Sequence, residues 1–393
     1  MATTAVWTRV AIAAVAAAAV WRVQACSAIL VGKKASSTGF VIFGHNEDDG
    51  GKIAVRHGYV PARAWPEGSA LVDSPDCAKV PRTPHSLGFF WTELRTAKCG
   101  LPAAAAFLNE CGVMVATDNA GHTKEDQNDS SRLTDGGIWF GLRLAVAERA
   151  TSAREGARIV GELVEKWGYV PSGRIYAIAD RDEAWLVQVV SGRHWVAMRC
   201  PDDSFCVVPN HYTIHTLPEK STRDCMFPAD IVSYAVSKGW WPAGEPFDFA
   251  AAYQAPDWTK IPHNTLRQTY MTSLLLGRDF PAGEYPFSVK AERTISPGDV
   301  RRALSSHPRD GGWIAHGEMF DESPSACRRT TKESFVCEFA AADADIALHI
   351  AGNRACETGY RRFNPLARPL PAAFDDGDAA GRLERFFLPE PGL

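Results

Sequence analysis

The sequence predicts an α+β protein, and three observations carry that expectation. Strand-like and helix-like segments come in blocks, strands, helices, strands, helices, strands, rather than in the strict alternation of a parallel βαβ sheet. Several strand candidates are separated only by short turns, at Asp180–Glu183, Ser191–Arg193 and Pro201–Asp203. Hydrophobic residues make up 46% of the 393 and charged residues 22%, the balance of a globular chain with a sizeable core.

Taken in order, residues 1–25 read as a leader. Arg9 is followed by the eleven-residue apolar run Val10–Val20, and Val23-Gln24-Ala25 places compact residues around a cut before Cys26. That is a signal-peptide pattern, and the run is well short of the ~20 residues that a membrane-spanning helix needs. The expectation is a secreted or periplasmic protein whose mature chain, Cys26–Leu393, has 368 residues once the 25 are removed. Losing Arg9 and Arg22 moves the formal net charge from −4 to about −6, so no basic footprint for nucleic acid or anionic membrane exists.

Cys26–Val31 and Phe40–His45 read as a strand hairpin across a polar turn, with Cys26 at its very start. Phe107–Leu108 and Val113–Thr117 flank a second turn. Apolar residues at helical spacing predict helices over Gly137–Ala150 and Ala153–Trp167. Ile175–Ala179, Trp185–Val190, Trp195–Met198 and Phe205–Val208 then form a compact β-meander. Helices follow at Ala229–Ser237, Thr265–Leu276 and Pro297–Leu304, the last capped by Ser296. Strands Ser334–Phe339 and Ile346–Ile350 precede a Pro-rich tail, and Trp240–Glu245 reads as a loop. Most of the Trp residues, such as Trp185, Trp195 and Trp258, read as packing.

The ten cysteines bear on compartment and chemistry. In an oxidising compartment most would be expected to pair, and Cys200 and Cys206 could face each other across a hairpin. No C-x-x-C pair exists and no Cys/His cluster has zinc-finger spacing, so a structural zinc site is not expected. H-E-x-x-H, the phosphate-binding G-x-x-x-x-G-K-[ST] and the nucleophile elbow G-x-S-x-G are also absent.

Cys26 stands out for its position. A cysteine at a new N-terminus carries its own α-amine, with an ordinary pKa of about 7.7–8.0. One residue then supplies both nucleophile and general base. On position alone, two other roles stay open: a structural cysteine, or a lipidated one, since Val23–Cys26 resembles a lipobox with Gln24 as a poor fit.

The residues that follow resemble a known family. Cys26-Ser27-Ala28-Ile29-Leu30-Val31-Gly32-Lys33-Lys34-Ala35-Ser36, then Gly44-His45-Asn46-Glu47-Asp48, resembles the opening of the N-terminal-nucleophile cysteine dipeptidases of the dipeptidase A type. These are relatives of penicillin V acylase and choloylglycine hydrolase. Gly173–Pro209, Tyr285–Lys290, Ile295–Val300 and Thr331–Ser334 extend the likeness over most of the mature chain. The resemblance implies a single domain with a four-layer αββα sandwich, no cofactor, and hydrolysis of a short peptide as substrate. It leaves homo-oligomers open. Related chemistry on penicillin, bile-acid or acyl-homoserine-lactone amides is the alternative within the fold, and a lipid-anchored surface binding protein is the alternative outside it.

Carried over by position, the resemblance gives Cys26 as nucleophile, Asp48 as acceptor for its α-amine, Asn210 as oxyanion donor and Arg267 as the cation near the thiol. His45 stands where many relatives have arginine, and a substrate contact is one role for it. Asn109 and Asn119 are implied as pocket residues.

Overall fold

The structure, a computed structural model, describes residues 26–50, 53–96, 103–256, 258, 261–307, 309–310, 313–314, 316 and 324–387. The leader and its cut site lie outside the described residues, as does Cys99. Among the described residues, no helix is long and apolar enough to cross a membrane.

Two antiparallel sheets dominate. The first orders its strands Val289–Lys290, Ser204–Val208, Ser27–Val31, Ile42–Asp48, Thr331–Glu338, Ala347–Gly352 and Arg361–Phe363. The second runs Cys225–Met226, Trp195–Arg199, Ala184–Val189, Gly173–Ala179, Met114–Gly121, Ala103–Asn109, Phe89–Thr96 and Ile53–Val60. Ser27–Val31, buried along its whole length, sits near the middle of the first sheet. A buried strand must pair its backbone groups on both edges. Ile42–Asp48 takes one edge, with Ser27 opposite Asn46, and Ser204–Val208 takes the other, with Ala28 opposite Val208.

That second pairing corrects the predicted meander. Only its first three strands stay together in the second sheet; Phe205–Val208 crosses to the first. Cys200 and Cys206 bracket the crossing, and both are thiols. The expectation that most cysteines pair is likewise not met, since the nine described cysteines are all free.

Side chains alternate across these strands and so build three large cores among the described residues, beside a small cluster at Leu94 and Ala105. Ala28, Leu30 and Phe43 of the first sheet face Met114, Ala116, Ala177 and Leu186 of the second. On the second sheet's outer face, Val115, Ile178 and Trp185 pack on Leu144, Val160 and Val164 of the helices Gly141–Arg149 and Ala153–Trp167. On the first sheet's outer face, Ile29, Val31 and Ile42 meet Met271 and Leu275 of Pro262–Leu276 and Val300 and Leu304 of Pro297–Leu304. Gly44 permits that close approach: a Cβ there would lie 2.5 Å from the Val300 side chain.

Local signals set most boundaries. Ala153–Trp167 matches its prediction, with the Ser152 hydroxyl accepting from the Glu155 amide; such a cap contributes about 1 kcal/mol. Ser296 caps Pro297–Leu304 in a reciprocal box with Asp299. The helix predicted from Gly137 begins at Gly141, because Gly136 and Gly137 have φ of +83° and +77° and turn the chain first. Ile42–Asp48 runs three residues beyond the predicted end at His45, so Glu47 and Asp48 belong to a buried strand rather than a turn. Ile53–Val60 and Phe89–Thr96 have no counterpart among the predicted elements. In the latter, buried Glu93 breaks the apolar pattern and pairs with Arg382 at 2.7 Å.

Candidate active site

Cys26 opens the first strand and is fully buried. Its thiol lies 3.4 Å from Glu47 Oε1 and 3.7 Å from the backbone carbonyl of Asp48. Burial pushes the thiol pKa well above its ordinary value, and the charges of Glu47, Asp118 and Asp48 push it further. With residue 25 still attached, Cys26 is therefore a protonated, weak nucleophile.

Two strands from opposite sheets supply the groups around it. Along Ile42–Asp48, Phe43 and His45 point between the sheets, while Gly44 and Asn46 point to the helices. His45 stacks on Phe335, with ring centroids 5.4 Å apart. Across the gap, Met114, Ala116 and Ala120 line the inner core, and Asp118 shares their alternation. Asp118 Oδ1 lies 3.6 Å from His45 Nε2, both side chains being fully buried. One ligating atom from each of Cys26, His45 and Asp118 lies within 4.8 Å of the other two. Burial opposes charge on His45, but Asp118, Glu47 and Asp48 outweigh it and its pKa is raised. Neither ring nitrogen of His45 nor either oxygen of Asp118 has a hydrogen-bond partner among the described residues. Buried polar groups of that kind mark a place for substrate or water.

Asp48, Arg267 and Asn210 form a connected set. The Thr331 hydroxyl donates to Asp48 Oδ1, and Arg267 Nη1 lies 3.8 Å from Asp48 Oδ2. Burial raises the Asp48 pKa to about 6 despite Arg267, Thr331 and Arg328, which all lower it. Arg267, on Pro262–Leu276, also donates to Asn210 Oδ1 at 2.5 Å. Burial and the neighbouring Arg328 bring its own pKa down to about 10. Asn210 Nδ2 donates to the Asn119 carbonyl at 2.8 Å, and the Asn210 carbonyl accepts from Trp258 Nε1. Gly121, at φ +70°, makes room for that indole, since a Cβ there would overlap its ring.

The structure thus gathers Cys26, His45, Asp48, Asn210 and Arg267, while Asn119 joins only through its backbone carbonyl, its side chain accepting from the Gly121 amide. Asn109 is the exception. Its Nδ2 donates to the carbonyls of Ala147 and Ala150, and its Oδ1 accepts from the amides of Cys111 and Val113. It closes a turn and ties down the end of a helix, and it is not a pocket residue. Glu47 and Asp118 were missing from the predicted site. Glu47 sits among acids that look like a turn. Asp118 offered a readable signal, an acid on an otherwise apolar strand face.

Residues 25–335 match peptidase family C69, and the chain belongs to that family. It is an enzyme of the peptidase type. Dipeptidase A of Lactobacillus helveticus is 27% identical over 362 residues, which cover 87% of this chain and 74% of that one. A probable dipeptidase of Latilactobacillus sakei is 24% identical, covering 80% and 68%. Among solved structures, a variant of the conjugated bile acid hydrolase from Clostridium perfringens aligns over 86% of this chain and 92% of its own, with 12% identity and a TM-score of 0.40.

The Glu47 pKa is raised from 4.5 to about 7, chiefly by burial. A raised carboxyl contributes stability that is fully present below its unfolded pKa and is lost as pH rises through the folded one. In a chain that retains residue 25, Glu47→Gln should therefore raise Tm at pH 8, with the gain vanishing by pH 4 to 5. Thermal melts across that interval check it; a pH-independent difference would contradict the assignment.

Proposed function

We propose that the chain is an exported cysteine dipeptidase, a four-layer αββα hydrolase whose nucleophile is Cys26 at a processed N-terminus. The observation that carries this reading is the set of three carboxylates, Glu47, Asp118 and Asp48, whose charges act on a buried Cys26. Buried carboxylates are costly unless cations stand beside them, and Arg267 and Arg328 already do so at Asp48. An ammonium on the Cys26 nitrogen would add one more. The three cores, two helix–sheet and one sheet–sheet, support the layered fold.

In this mechanism the Cys26 α-amine takes the thiol proton, and the sulfur attacks the peptide carbonyl. The oxyanion accepts one N–H of Asn210 and a backbone N–H. Arg267 orients the Asn210 amide by donating to its oxygen. One Nδ2 hydrogen goes to Asn119, and the second is directed to the oxyanion. The ammonium then protonates the leaving amine as the C–N bond breaks. Water, activated by the same amine, cleaves the thioester and restores the thiol. His45 stands beside the sulfur where relatives use arginine; burial opposes charge on it, and Asp118 and Glu47 favour it. Arg267 and Asp48 act as positioning residues.

The acidic lining favours a substrate with a free α-ammonium group. It works against amides that carry a nearby anion, such as penicillins and conjugated bile acids. The test is a chain with an uncleavable leader beside one beginning at Cys26, each assayed on dipeptides and on N-acylated amides. The expected result is dipeptide hydrolysis by the second chain alone. Equal activity in the precursor would overturn the amine's role.

Asn210→Ala should lower kcat by about 10²–10³, the usual loss of one oxyanion donor. KM should stay close to its original value, because the contact forms mainly in the transition state. Steady-state kinetics on one dipeptide decide this; a rise in KM with kcat unchanged would make Asn210 a binding residue.

A further inference from the structure

A second cluster of ligating side chains lies apart from Cys26. His307 follows the helix Pro297–Leu304, and His316 comes from the segment beyond it. Cys327 precedes the strand Thr331–Glu338, and Cys356 lies on the short helix Ala355–Thr358. One ligating atom from each of His307, His316 and Cys356 lies within 4.8 Å of the other two. His316 Nε2 is 3.0 Å from Cys356 Sγ, and the two imidazoles stand edge to face with centroids 5.2 Å apart. Cys327 Sγ is 3.4 Å from Cys356 Sγ.

The distances among His307, His316 and Cys356 fit three ligands around one small cation, and Cys327 stands next to Cys356 at the edge of that group. Two thiolates bound at about 2.3 Å in a tetrahedral site are roughly 3.8 Å apart, and a thiolate and an imidazole are roughly 3.5 Å apart. A disulfide would need sulfurs at about 2.05 Å. Two thiols and two imidazoles are also the donor set that selects zinc over magnesium or calcium. The zinc-finger spacing sought in the sequence is absent because the four ligands come from separate segments, brought together only by the fold.

We propose that His307, His316 and Cys356 form a zinc(II) site, and that Cys327, which touches Cys356 but lies outside the three-ligand group, moves in as the fourth ligand when the metal binds. Each bound thiol releases one proton to solvent, leaving a neutral site of two thiolates, two neutral imidazoles and one dication. The site has a structural consequence for catalysis. Cys327 follows Ala326, whose carbonyl accepts from Asn46 Nδ2 at 2.9 Å, and precedes Arg328, whose charge acts on Asp48 and Arg267. A metal held there would fix the segment that supports Asp48. The inference is independent of the dipeptidase reading, since it concerns metal binding and not turnover.

The experiment is cobalt(II) titration of the untagged full chain, purified under reducing conditions, followed by competition with zinc(II). One equivalent of cobalt should bind with thiolate-to-metal charge-transfer absorption and be displaced by zinc. Cys356→Ser and His316→Ala should each weaken binding by at least about tenfold, the lower end of the loss that even outer-shell changes bring. His316→Ala serves if the cysteine variant does not fold. Absence of the charge-transfer band overturns the proposal, as does cobalt affinity in both variants unchanged from that of the unsubstituted chain. Recovery of Cys327 and Cys356 as a cross-linked peptide from protein purified without reductant, with no bound metal, would assign the pair to a disulfide instead.

Discussion

The structure turns on how buried charge is balanced at the head of one strand. Glu47, Asp48 and Asp118 are buried around Cys26, and their positive neighbours His45 and Arg267 are buried with them. Carboxylates do not stay ionised in such a place without compensation, and burial accordingly holds Glu47 at about 7 and Asp48 at about 6. Arg267 meets Asp48 and Asn210 together, so one guanidinium both offsets a charge and orients an amide. Arg328 also acts on Asp48 and Arg143 on Glu47. In the proposed enzyme the α-amine of Cys26 is one more cation beside these acids.

Both sheets are needed to assemble this arrangement. His45 reaches inward from the first sheet because Phe43 and His45 share an alternation, and Asp118 reaches back from the second on the alternation of Met114 and Ala116. Asn210 lies two residues beyond Ser204–Val208, the strand that left the meander to pair with Ser27–Val31. Had Phe205–Val208 stayed in the second sheet, as its sequence pattern suggested, Asn210 would not end beside Arg267. The crossover is thus a condition for the site as well as a correction to the topology.

Local chemistry explains what was legible in the sequence. The caps at Ser152 and Ser296 and the helical periodicity of Ala153–Trp167 gave helices whose bounds hold. The residues that follow Cys26 gave the family. Sheet membership was not legible, because an alternating strand carries no mark of which sheet will bury it. Asn109 illustrates the opposite limit: its position suggested a pocket, but a buried Asn must satisfy its amide, and the nearby turn and helix end use it fully. Glu47 was hidden by its acidic neighbours. The His307, His316, Cys327 and Cys356 cluster was hidden by sequence distance.

The central claim is that Cys26 forms the covalent intermediate at a free N-terminus. Acid quenching during turnover of a dipeptide, followed by mass spectrometry of the digested protein, tests it directly. The expected result is an N-terminal peptide beginning at Cys26 and heavier by the substrate's acyl group, lost in Cys26→Ala. An acyl adduct on any other residue, or turnover by a folded Cys26→Ala chain at the original rate, would contradict it.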